Sequence, residues 1–205
     1  MVVPRHFDQE LVPEILSSRR AWIDRQLERF DAQPGKFDVD WPPKCIELRG
    51  VGERVEVEYG AHARPSVKLR QDGRDLQLTL PSRVSNEHIV TVLTRWLKEM
   101  ARRKLVPMAE SLSLAYGFEY ARVVIRGQKT RWGSYSSRGT LSLNYKLLFL
   151  PEPLATHVIL HELVHSVHMD HSDKFWEALE VVDPAARLHD QQLQEAWKYL
   201  PAWLD

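Results

Sequence analysis

The hydrophobic pattern between Cys45 and Leu80 most strongly limits how this 205-residue chain can fold. Over this segment apolar residues recur at every second position, as they do in strands with one buried face. Glycine-containing turns separate the runs, and the pair Asp72-Gly73 is typical of a hairpin turn. The alternating residues are Ile46 and Leu48; Val55, Val57 and Tyr59; Val67 and Leu69; and Leu76, Leu78 and Leu80. We therefore predict a half-exposed antiparallel sheet of about four strands.

Beyond Leu80 the apolar spacing changes to three and four residues, which predicts helices. Ser85 is suited to cap a helix that runs to about Met100. Pro107 is expected to break this helix, because proline lacks an N–H and clashes with the preceding turn, and a shorter helix would then end near Gly117.

The second half is predicted to contain two short strands and three more helices. The strands are Arg122 to Ile125 and Thr140 to Asn144, with Arg138-Gly139 as the turn before the second; the helices start near Pro151, Ser172 and Asp183, the last reaching about Leu200. We divide the chain into an N-terminal helical extension (1–40, with a helical pattern from Pro13 to Phe30), an antiparallel β-rich region (41–83) and a catalytic region (84–205). The last two are expected to form one compact unit.

Composition narrows the classes of protein to which the chain can belong. Lys and Arg together number 28, as do Asp and Glu, so the formal net charge is zero. A protein that coats nucleic acid is usually basic, and this balance opposes that class. No apolar run suits a signal peptide or a membrane span. The single cysteine, Cys45, excludes an intrachain disulfide, and together these features predict a cytoplasmic protein that does not enter membranes.

The segment His161-Glu162-Leu163-Val164-His165 matches the pattern H-E-x-x-H. On a helix, positions i and i+4 lie one turn apart on the same face, so both imidazoles can reach one zinc ion at roughly 2.0–2.1 Å. The intervening glutamate is placed to accept a proton from a metal-activated water. The preceding apolar residues have helical spacing, which puts the motif on the required element.

The third ligand is predicted to be His171. His168 would lie roughly 7 Å along the helix axis from the metal level, so it is a poor ligand while the helix continues. His171 can return to the metal if the chain turns after His168, and Asp170 suits such a turn. A carboxylate is the alternative third ligand, supplied by Glu177, Glu180 or Asp183. His157, one turn before His161, is interpreted either as lining the cleft or as an ordinary surface histidine.

Several separated motifs in the second half together resemble the YgjP-like zinc metallopeptidases, which are related to the SprT and WLM proteases. They are Arg131-Trp132-Gly133-Ser134-Tyr135-Ser136-Ser137, Leu141-Ser142-Leu143-Asn144-Tyr145, His161-Glu162-Leu163-Val164-His165, His171-Ser172 and Phe175-Trp176. The resemblance implies that His161, His165 and His171 bind zinc and that Glu162 is the catalytic carboxylate. It also implies an α+β protein whose zincin-like metallopeptidase half, an H-E-x-x-H helix beside a short sheet, follows the antiparallel β-rich N-terminal layer.

The chain departs from the family at Tyr135, where a cysteine usually follows Trp-Gly-Ser. Because that cysteine would not be a ligand, we expect Tyr135 to change the local packing and to leave the metal site intact. The segment Arg131 to Tyr145 is predicted to form a hairpin beside the metal helix, with Trp132 in the core. Arg131 and Asn144 are candidates for contacting substrate, although Asn144 also suits a satisfied polar position in a strand.

The segment from Ala121 to Pro151 contains no acidic residue and six basic ones: Arg122, Arg126, Lys129, Arg131, Arg138 and Lys146. A positive rim beside the metal would suit an anionic group, whereas solvated strand faces would explain the same residues without a ligand. The leading hypothesis is hydrolysis of peptide bonds in a peptide or protein. The alternatives are hydrolysis of nucleotide phosphoanhydrides and a protease that acts on DNA-bound protein.

Overall fold

The computed structural model describes residues 41–62, 68–81 and 83–204, which belong to one compact unit, Asp40–Asp205. The helical pattern predicted between Pro13 and Phe30 lies outside the described residues. Within the described residues the fold is α+β, as predicted, with two small sheets and four α-helices. None of the described helices has the length and apolar composition needed to cross a membrane.

The first sheet contains the four strands that the alternating pattern predicts. They are β1 (Cys45–Leu48), β2 (Glu53–His62), β3 (Lys68–Asp72) and β4 (Asp75–Pro81), in the spatial order β1-β2-β4-β3. Strands β1 and β3 pair with their neighbours antiparallel, but β2 and β4 are parallel, with Val57 opposite Leu76. The prediction of a wholly antiparallel sheet is therefore wrong.

Burial explains why β4 takes the central place beside β2. Leu76 and Leu78 of β4 are both completely buried, whereas Leu69 of β3 is only half-buried. Inserting the more apolar strand between β2 and β3 shields it on both edges and makes β2 and β4 parallel. A period of two reveals which face of a strand is buried, but it does not reveal which strands are neighbours.

The helix after the sheet is continuous where two helices were predicted. Helix α1 (Asn86–Tyr116) spans 31 residues and includes Pro107. Its start matches the prediction, because the Ser85 side chain accepts a hydrogen bond from the His88 N–H at 3.3 Å. Pro107 is exposed, while Leu105 and Ala109 on either side of it are completely buried. Continued burial of that face offsets the lost hydrogen bond, so proline does not end the helix.

The second sheet contains β5 (Arg122–Arg126), β6 (Gly133–Tyr135) and β7 (Thr140–Asn144) in the order β5-β7-β6. Strands β6 and β7 form the predicted hairpin, with Ser134 opposite Ser142. Gly139 supports the turn between them with a positive φ of 73°. Strand β5 pairs with β7 in parallel.

Three further α-helices follow in the described part of the chain: α2 (Glu152–Val164), α3 (Asp173–Val182) and α4 (Ala186–Leu193). Helix α4 ends earlier than predicted, and a separate 3-10 turn, Ala196–Tyr199, follows it. Helix α2 lies at the centre, packed against α1, α3, α4 and β6. A core of Leu160, Val164, Phe175, Leu179 and Ala186 joins α2 to α3 and α4. The helix that carries the H-E-x-x-H segment is thus held on several sides.

Candidate metal centre and active site

The rings of His161, His165 and His171 meet at the end of α2. His161 lies in the last turn of this helix and His165 caps it, and their ring centroids are 5.2 Å apart. The His171 ring lies 5.0 Å from the first and 4.8 Å from the second. The Nε2 atoms of His161 and His171 are 3.0 Å apart. One nitrogen from each of the three rings falls within 4.8 Å of the others, a spacing at which they can share one ion.

The turn after α2 brings His171 back towards the helix. Its first residues remain tied to α2, since the His168 N–H donates to the Val164 carbonyl at 3.0 Å. Asp170 then closes the turn by accepting a hydrogen bond from the Ser172 N–H at 3.3 Å. The side chain of His168 belongs to none of the candidate ligand groups formed by residues 41–62, 68–81 and 83–204.

Two contacts orient the rings. Nδ1 of His165 lies 2.8 Å from the His168 carbonyl, which suits an Nδ1–H donor and leaves Nε2 available to bind a metal. Phe175, completely buried in α3, packs 4.7–4.9 Å from all three histidine rings, measured between centroids. Burial lowers the pKa of His161 to about 3, helped by the neighbouring histidines. Burial also lowers the pKa of His165, so both rings are neutral at pH 7, the form that binds metals.

Each carboxylate proposed as an alternative third ligand either interacts with other residues or stands outside the candidate ligand groups of the described chain. Asp183 is engaged by two histidines, and Glu180 forms an exposed ion pair with Arg187 at 2.7 Å. Glu177 is exposed and joins no candidate ligand group within the described part of the chain. Within the described residues the group offers three imidazoles and no further ligand, which leaves a position open for water, as in catalytic zinc sites.

Glu162 is buried beside this group, with 8% of its surface exposed. Burial raises its pKa to about 7, against the opposing effects of the Arg131 charge and a hydrogen bond from the Tyr135 backbone. Gly133 in β6 faces it so closely that a β-carbon there would lie 2.7 Å from Glu162 Cγ. Strand β6, which begins within the Trp132-Gly133-Ser134 motif, therefore packs directly against the carboxylate. The motif is visible in the sequence, but no spacing rule reveals the role of its glycine.

Asn144 fits the interpretation of a satisfied polar residue in a strand better than that of a residue that contacts substrate. It is completely buried, and its Nδ2 donates to the carbonyls of Gln128 and Arg131 at 2.8 and 2.9 Å. Its Oδ1 accepts a hydrogen bond from the Lys146 N–H at 3.2 Å. These bonds tie the loop before β6 to the end of β7. Asn144 therefore holds the backbone of Arg131, whose exposed side chain remains beside Glu162.

Trp132 is buried, as predicted, and stacks on Trp197 with ring centroids 4.1 Å apart. Lys146, one of the six basic residues in the acid-free segment, is also buried, with its Nζ 5.4 Å from the Trp197 ring. It is not part of an exposed positive rim. Arg122 lies at the start of β5, where it bonds Thr140 at 3.3 Å. The basic residues of this segment therefore do not all share one face.

A buried network of two histidines and an aspartate lies behind His161, and sequence reasoning did not find it. His157 is completely buried, and its Nδ1 lies 2.6 Å from Oδ2 of Asp183. His189 Nδ1 lies 2.8 Å from the same oxygen, while Asp183 Oδ1 accepts the Ala185 N–H at 3.2 Å. His157 thus neither lines an open cleft nor lies on the surface. The network links α2 to the start of α4, and no spacing rule connects its members.

The chain is similar to known metallopeptidases. No curated protein sequence matches it. Two similar solved structures are the metallopeptidase zymogens of Pyrococcus abyssi abylysin and Methanocaldococcus jannaschii jannalysin. The first is 26% identical, with a TM-score of 0.40, over 43% of this chain and 90% of that one. The second is 23% identical, with a TM-score of 0.39, over 43% of this chain and 92% of that one. The family profile described as "YgjP-like, metallopeptidase domain" matches residues 1–196, and the chain belongs to this metallopeptidase family.

Proposed function

We propose that this protein hydrolyses peptide bonds with a zinc ion held by His161, His165 and His171. The convergence of three imidazoles beside a buried glutamate carries the proposal. Zinc in such a site lowers the pKa of a coordinated water and polarises the carbonyl to be cleaved. Cysteine ligands, which are typical of closed structural zinc sites, are not part of this group.

Glu162 is proposed as the general base. With a pKa raised to about 7 by burial, it can accept a proton from the attacking water and then donate it to the leaving amine. The Tyr135 backbone and Gly133 hold it in place, the first by a hydrogen bond and the second by close contact. Arg131, exposed beside the carboxylate, is proposed to contact the substrate.

The test of this function is Glu162→Gln, which removes the base but keeps its shape. We expect metal content to remain stoichiometric while peptide hydrolysis falls by roughly 10²–10⁴-fold. Glu152→Gln is the matched control, because Glu152 is exposed at the start of the same helix and should leave the rate unchanged. Full activity of Glu162→Gln would remove the proposed base.

Hydrolysis of nucleotide phosphoanhydrides is the second candidate, supported by the acid-free segment from Ala121 to Pro151. The burial of Lys146 weakens this support, because one of the six cations of the segment does not face solvent. A panel of peptides and nucleoside triphosphates, assayed with and without a chelator, separates the two reactions. Chelator-sensitive release of phosphate without peptide cleavage would favour the nucleotide.

A further inference from the structure

A cavity of about 370 Å³ opens beside His161 and Glu162. Its apolar wall comes from four residues on different elements: Trp132 before β6, Val158 in α2, Leu193 at the end of α4, and Trp197 in the 3-10 turn that follows. Trp132 and Val158 are buried, and Trp197 is held against Trp132 by the ring stack. The wall is therefore rigid and already formed.

The polar residues around this cavity do not favour a charged ligand of either sign. Arg131 and Asp190 both line it, so one positive and one negative side chain face the same space. Gln194 and Thr130 add neutral polar groups. Because the two opposite charges offset each other, we expect the apolar wall to determine which substrate side chains bind here.

The volume of the cavity suits a large side chain better than a small one. Ligand pockets in proteins typically enclose about 300–1,000 Å³, and this one falls at the lower end of that range. A methyl group would leave most of it empty, whereas a leucine, methionine or phenylalanine side chain would contact the walls. Burying such a side chain strengthens binding by roughly 10- to 100-fold over leaving it exposed.

We propose that this cavity receives a large apolar side chain of the substrate residue next to the cleaved bond, and that Leu193 and Trp197 determine the preference. The inference rests on the proposed peptidase function, because His161 and Glu162 form one side of the same cavity.

The first test is cleavage of a diverse peptide mixture, with the products sequenced by mass spectrometry. We expect large apolar residues to exceed alanine and glycine at least tenfold at one position adjoining the cut. Leu193→Glu places a charge in the wall and should reduce this enrichment about tenfold or more. Leu188→Glu is the control, because Leu188 is exposed on the same helix and does not line the cavity.

A second variant tests the cavity independently, in case Leu193→Glu does not fold. Gln194 is exposed at the mouth of the cavity, and Gln194→Trp should fill it without disturbing the core. We expect this variant to favour small residues at the same position. An unchanged preference in both Leu193→Glu and Gln194→Trp would overturn the inference, as would the absence of any preference in the unaltered protein.

A binding measurement distinguishes failure of this inference from failure of the proposed function. The zinc-loaded protein is titrated with acetyl-phenylalanine hydroxamate and acetyl-alanine hydroxamate, which need no hydrolysis. We expect the phenylalanine compound to bind at least tenfold more tightly, and this ratio to approach one in Leu193→Glu but not in Leu188→Glu. Equal affinities would refute the pocket even in an active peptidase, whereas missing hydrolysis with a preserved ratio would refute only the proposed function.

Discussion

Gly133 lies so close to Glu162 that a β-carbon at position 133 would fall 2.7 Å from both Cγ and Oε1 of the glutamate. No ordinary contact is this short, so any side chain there must displace either the carboxylate or strand β6. The same strand supplies the backbone hydrogen bond of Tyr135 to Glu162. The hairpin therefore determines where the proposed general base can lie.

Gly133→Ala is expected to reduce peptide hydrolysis about 10²-fold while the zinc content stays the same, because Glu162 moves and the three histidines do not. The rate and the metal content are measured on the same preparation. Gly60→Ala is the control, since its nearest neighbour would be an ordinary 3.6 Å away, at the methyl group of Thr79. Full activity in Gly133→Ala would show that the contact does not position the base.

His171→Asn should lower zinc affinity by more than about 100-fold, because it removes one of three proposed ligands. His168→Asn is the matched control, since the side chain of His168 lies outside the ligand group and the variant keeps the backbone carbonyl that contacts His165. Competition with a chromogenic chelator measures both affinities. Equal zinc binding by the two variants would require another third ligand.

The stability of the metal-free protein should depend on pH through Glu162. In the folded state its pKa is raised to about 7 by burial, whereas in the unfolded chain it lies near 4.5. Between these values the folded state holds a proton that the unfolded state has released, so the free energy of unfolding falls as pH rises from 4.5 to 7. Glu162→Gln removes this dependence. We expect the free energy of unfolding of the variant to exceed that of the unaltered protein by roughly 3 kcal/mol at pH 8 and to match it closely near pH 4.5.

Urea unfolding with a chelator present, at several pH values, measures that difference directly. The two proteins differ only at position 162, so the contribution of the other groups largely cancels when the variant is compared with the unaltered chain. A stability difference that stays constant from pH 5 to pH 8 would contradict the raised pKa of Glu162.

Asp183→Ala should destabilise the fold by about 1–3 kcal/mol, because it leaves the buried ring of His157 without its hydrogen-bond partner. Glu180→Ala removes an exposed partner of Arg187 from the preceding helix and should cost less than about 1 kcal/mol. Chemical denaturation measures both. Similar small losses in the two variants would show that the buried network contributes little.

Local spacing accounts for the features that sequence reasoning predicted well. The H-E-x-x-H segment lies at the end of a helix because apolar residues precede it at helical intervals, and i and i+4 share a helix face whatever the rest of the chain does. The β6–β7 hairpin follows from its turn, where Gly139 adopts a positive φ. Pro107 shows the limit of such rules, since burial of α1 on both sides of it outweighs its local preference.

The helix that carries two of the candidate metal ligands could be predicted from spacing alone, because backbone geometry relates residues that lie a few positions apart. Packing of whole elements was needed to place β4 beside β2, Gly133 against Glu162, Asp183 beside His157, and Trp197 at a cavity near His161. Each of these pairs is separated by more than a dozen residues. Contacts at that range depend on how whole elements pack, since each element must bury its apolar face against another.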